Sequence, residues 1–148
     1  EFKIASQITI LFNIVTKKIS PWPKMVDNIT AIFCEDIREE LSGKYSASGI
    51  FTNGITPDSY PILLSFSLLI SVRNAPPENQ KLKIKITSPK KLPVEMEFDI
   101  TISDIGSATF SLNNIQQELT EPGVLKIEAA INDENLLEIV NLPLDKNS

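Results

Sequence analysis

Apolar and polar residues alternate with a period of two over most of this chain. In Tyr60–Arg73 (YPILLSFSLLISVR) the even positions are Tyr60, Ile62, Leu64, Phe66, Leu68, Ile70 and Val72, and the odd positions include Ser65, Ser67, Ser71 and Arg73. Successive side chains of a strand point to opposite faces, so this pattern predicts one long strand with a full apolar face. Lys81–Thr87 (KLKIKIT) sets Leu82, Ile84 and Ile86 against lysines. Val94–Ser103 (VEMEFDITIS) sets Val94, Met96, Phe98, Ile100 and Ile102 against Glu95, Glu97 and Asp99. One polar face is cationic and the other anionic. Opposite charges stabilise cross-strand neighbours, so these two segments are expected to pair through the SPKKLP connection. Lysines on an exposed edge would also discourage pairing with another chain.

The end of the chain predicts a hairpin. Leu125, Ile127, Ala129 and Ile131 alternate with polar or small residues, NDEN (Asn132–Asn135) supplies the turn, and a strand returns from about Leu136 to Leu144. Ahead of it, ATFSL (Ala108–Leu112) reads as a short strand, and NIQQELTE (Asn114–Glu121) as a turn or two of helix. Prolines at 57, 61, 76, 77, 89, 93, 122 and 143 punctuate the segments. Several strands with turn signals between them, and almost no helix, predict an all-β, antiparallel two-sheet sandwich of about seven or eight strands.

Residues 33–51, FCEDIREELSGKYSASGIF, concentrate charge beside a cysteine. The local expectation is a hairpin, with Gly43 free to take positive φ in the LSGK turn and with Phe33 and Tyr45 available to the core. A helix over CEDIREEL competes, because Glu and Arg favour helix. The run Cys34-Glu35-Asp36-Ile37-Arg38, then Gly43-Lys44 and Gly49-Ile50-Phe51, resembles an uncharacterised family of small bacterial β-sandwich proteins, a domain of unknown function. The long apolar strand and the Pro-Gly before the last hairpin fit it too, so the resemblance spans about Met25–Leu144. It implies an immunoglobulin-like sandwich and carries no activity with it. Residues 1–24 stand outside the resemblance, as a genuine extension, an alternative start or a non-native addition. Their ITILFNIV suggests an extra strand, although Ile4, Ile8, Leu11 and Val15 also share a helical face.

Composition narrows the chemistry. The 148 residues are one domain's length, with 42% hydrophobic and 22% charged residues, as in an ordinary soluble globule. A net charge of −5 argues against gathering phosphates, so no nucleic-acid partner is expected. Ile4–Val15 is too short to span a bilayer, and its lysines mostly follow it, unlike a secretory signal. The expectation is a cytoplasmic protein with no membrane partner. The chain has no histidine and one cysteine. This excludes Ser–His and Cys–His catalysis within the chain, as well as histidine zinc, thiolate zinc and iron–sulfur sites. No cofactor is expected.

Among candidate site residues, Arg38 could lower the Cys34 pKa, but the neighbouring acids Glu35, Asp36 and Glu39 oppose it, so Cys34 reads as a small buried hydrophobe. Asp36 and Arg38 share a strand face and could pair with each other or with Lys44 as a recognition patch, worth well under about 1 kcal/mol as an exposed ion pair. Trp22, in Pro-Trp-Pro, and Tyr60 are aromatics that could anchor a partner or cap a core edge. Glu95, Glu97 and Asp99 resemble glycosidase carboxylates, yet their regular spacing fits a solvated face better than the unlike environments such catalysis needs. Asp104, Asp133 and Glu134 sit in loops and could offer calcium oxygen ligands. The reading is a non-catalytic binding or structural module for an unknown protein or small molecule, monomeric or weakly dimeric through its N-terminal segment. A calcium- or carbohydrate-binding module, or a carboxylate hydrolase, is the alternative.

Overall fold

The computed structural model describes residues 29–132 and 135–146. The 1–24 extension, with Trp22, and the loop acids Asp133 and Glu134 lie outside them. Eight strands follow in order: β1 (Ile29–Glu39), β2 (Tyr45–Ile50), β3 (Ile62–Val72), β4 (Glu78–Thr87), β5 (Val94–Ile102), β6 (Ala108–Leu119), β7 (Gly123–Ile131) and β8 (Leu137–Leu144). They form two four-stranded antiparallel sheets, ordered β2-β1-β3-β6 and β5-β4-β7-β8. The chain crosses between the sheets after β3, β5 and β6, and apolar faces from both meet in one core.

Period-two patterning explains most of this. The even residues Phe66, Leu68, Ile70 and Val72 of β3 are fully buried. Leu82, Ile84 and Ile86 of β4 face them from the second sheet. The charge match between β4 and β5 sets their partners, with Lys81 opposite Asp99, Lys83 opposite Glu97 and Lys85 opposite Glu95. Lys81 Nζ lies 2.8 Å from Asp99 Oδ1. The lysine strand is nevertheless not an edge. β4 lies between β5 and β7, and the edge carries the acids instead.

The helix expected over Asn114–Glu121 does not form, and ATFSL is the first half of a longer strand. β6 continues to Leu119, pairing with β3 from Ala108↔Val72 to Leu119↔Ile62. A bulge interrupts it at Asn113–Asn114, where Asn114 takes φ of 58°. One extra residue inverts the phase of a strand. Before the bulge Ala108, Phe110 and Leu112 pack toward the core, and after it Ile115 and Leu119 do. The sequence therefore loses its alternation there, and Ile115 and Leu119 acquire the i, i+4 spacing of a helix.

β1 and β2 form the expected hairpin, and no helix covers CEDIREEL. β1 pairs with β3 only up to Cys34↔Ser67 and then runs with β2 alone. Beyond that point it approaches β6, although β3 separates the two in the sheet. The Tyr45 hydroxyl donates to Thr109 O at 3.4 Å. The outer half of the hairpin thus folds back over the outer face of the first sheet. Tyr45 anchors this fold-back and does not enter the core, whereas Phe33 does, stacking 4.5 Å from Phe66 and 5.1 Å from Phe51.

Candidate functional site

Asp36 and Arg38 lie on the outer half of β1, on the same side of the strand. Arg38 Nε donates to Asp36 Oδ2 at 3.0 Å, with the arginine exposed and the aspartate half-buried. With Ser46, Ala47 and Ser48 of β2 they line a surface depression of about 220 Å³. Lys44 sits in the turn beyond, exposed, with its carbonyl accepting Glu40 N at 2.7 Å. Asp36 thus pairs with Arg38 within its own strand. An exposed pair of this kind holds about 1 kcal/mol at most.

Cys34 lies where β1 parts from β3, with no exposed surface. Its Sγ is 3.6 Å from Asp36 O and 3.8 Å from Ser67 O, so the thiol proton has backbone acceptors. Burial pushes the thiol pKa up, the hydrogen bond at Asp36 pulls it down, and the charges of Asp36 and Glu35 raise it further. A buried, protonated thiol is a poor nucleophile. Ser67 completes this junction by donating to Glu35 O at 3.2 Å and accepting Asn114 N at 3.4 Å. One hydroxyl therefore closes the gap where the β1 ladder stops and the gap at the β6 bulge. No sequence pattern distinguishes Ser67 from the other serines of its strand.

Tyr60 is a clamp. Its hydroxyl donates to Asp145 O at 2.8 Å, and the segment before it is stitched to the end of β8 by Ile55 N to Pro143 O and Asp145 N to Ile55 O, both 2.9 Å. Burial and the Asp145 charge raise its pKa.

Glu95, Glu97 and Asp99 are exposed in one row along β5, and Asp104 is exposed in the following loop. Among the described residues no group of three or more acid or cysteine side chains is placed to hold a metal ion. Nor is any helix among them long and apolar enough to cross a membrane.

The strand order reveals a further feature. β5 and β6 are edge strands of opposite sheets, and the seam between them opens into a groove of about 280 Å³. Phe98, Ile100, Ala108, Phe110 and Leu112 form its apolar wall, with Asp99, Thr101 and Thr109 at its rim. Alternation shows that Phe98 and Phe110 face inward; that they face a gap follows only from the order of the strands.

Residues 29–142 match the model of a family of unknown function, DUF6941. The chain belongs to DUF6941. The match begins with β1 and ends within β8, so the DUF6941 domain is the sandwich itself. No curated protein matches the sequence.

The titrations in this DUF6941 domain make alkaline instability the expected result. A thiol or phenol whose pKa is raised on folding keeps a proton that the unfolded chain releases. Its stabilisation is complete below the unfolded pKa and is lost as pH climbs through the folded one. For Cys34 that loss starts near its ordinary value of 9.0 and for Tyr60 near 10.0. Lys81, raised chiefly by its hydrogen bond to Asp99, loses its pairing in the same direction. Urea midpoints should fall from pH 8 to pH 10.5, and by less in Cys34→Ala and Tyr60→Phe. Equal falls in all three proteins would show that neither group contributes.

Proposed function

We propose that this chain is a non-catalytic binding module whose recognition surface is the open seam between β5 and β6. The observation that carries this reading is the apolar groove between two edge strands, where Phe98 and Phe110 remain partly exposed at the margin of the core. Ligand sites are typically concave and apolar with a few polar groups at the rim, and exposed edges can add a strand from a partner. A non-catalytic role is further supported by the lack of histidine, the buried thiol and the uniform setting of the β5 carboxylates. An immunoglobulin-like description is supported by the crossings after β3, β5 and β6 and by two sheets of four strands. A bacterial source and the Cys34–Phe51 hairpin as a family signature rest on the resemblance alone.

A screen of fragments and short peptides by ¹⁵N chemical-shift perturbation tests the reading. Hits should cluster at Phe98, Ile100, Phe110 and Leu112. Hits confined to the Asp36–Arg38 depression, a calorimetric calcium signal at millimolar or tighter affinity, or glycoside turnover abolished by Glu97→Gln would each replace it.

A further inference from the structure

We infer that the seam recognises an extended peptide in which apolar residues alternate with basic ones, added as a strand to the edge of β5. The inference rests on the reading of the seam as a recognition surface and names its partner. β5 is hydrogen-bonded to β4 on one side and has no strand on the other among the described residues. An added antiparallel strand would present side chains alternately to the two faces of the sheet. On the inner face they would meet Phe98 and Ile100, with Phe110 across the seam. On the outer face they would lie opposite Glu95, Glu97 and Asp99, all three exposed.

The molecule already contains one solution to this pairing. β4 lies on the other side of β5 and places Lys81, Lys83 and Lys85 against the same three acids. A peptide of the β4 type would repeat that arrangement on the open side. A second copy of β5 would set acids against acids, which is unfavourable for directly opposed strands. The same charges that invite a basic strand therefore disfavour self-association through this edge. β6 is the poorer platform, because the bulge at Asn113–Asn114 interrupts it and the Thr109 carbonyl already accepts the Tyr45 hydroxyl.

The probe is an end-blocked peptide of sequence KLKIKIT, with ELEIEIT as its charge-reversed counterpart, titrated into the full chain. The basic peptide is expected to shift amide resonances along β5 and at Phe110, to bind about tenfold or more tightly than the acidic one, and to weaken as salt is raised. Phe110→Ser should abolish binding with the circular dichroism spectrum retained. If that variant fails to fold, the comparison of the two peptides on the unaltered chain still decides. No binding, equal binding of the two peptides, or shifts confined to β4 and β7 (displacement of the resident strand) would overturn the inference. Other ligands mapping to the seam while KLKIKIT does not would remove this partner and keep the recognition surface. A seam silent to every probe would remove both.

Discussion

Phe66→Ala is expected to destabilise the domain by about 3–5 kcal/mol, the range for truncating a buried phenylalanine. Phe66 has no exposed surface and lies in the middle of β3. Its ring sits 4.5 Å from Phe33, which in turn sits 5.1 Å from Phe51. The deletion therefore removes its own buried surface and also the contact that orients Phe33. At this position β3 is held by its ladder to β6, where Phe66 pairs with Ile115, which limits how far the strand can collapse into the void. Because domains carry only about 5–15 kcal/mol in total, the variant should show a large drop in urea midpoint. Phe66→Leu, which keeps most of the volume, should recover much of it. A loss below about 1 kcal/mol for the alanine variant would mean that the core relaxes around this position.

Gly54→Ala is expected to cost more than Gly43→Ala, although both glycines have positive φ. Gly43 takes 81° in the β1–β2 turn, and a Cβ there would meet nothing within 4 Å. Its cost is the left-handed backbone alone, about 1–2 kcal/mol. Gly54 takes 117°, and a Cβ would come within 2.7 Å of Pro143 O. That carbonyl is the acceptor for Ile55 N at 2.9 Å. Relieving the clash requires moving a backbone group that already holds the 51–61 segment to β8, and the Tyr60–Asp145 clamp depends on the same approach. The backbone conformation costs about 1–3 kcal/mol, and each hydrogen bond lost adds about 1 kcal/mol. Thermal melts of the two variants side by side check the order. Equal melting temperatures would show that the segment yields freely.

Sequence alone determined the elements whose patterning is local. The phase of β3, the charge-matched pairing of β4 with β5 and the last hairpin follow from period-two burial and turn chemistry, which act between neighbours in the chain. The β1–β2 hairpin follows from its LSGK turn alone, since β1 buries Phe33, Cys34 and Ile37 out of period and leaves a helix competing. Tertiary structure decided the rest. The bulge at Asn114 inverts the phase of β6 and leaves Ile115 and Leu119 at helical spacing, so the segment is a strand only because β3 offers it a ladder. The placement of the acids at an edge and the lysines inside the sheet depends on β7 pairing with β4, a contact between segments far apart in the chain, from Thr87↔Lys126 to Leu82↔Ile131, that no local pattern encodes. Cys34 is buried because the hairpin folds back at the point where β1 leaves β3. The groove follows from the same cause. Alternation tells Phe98 and Phe110 which face to occupy, but only the order of strands in two separate sheets determines that this face opens onto a gap.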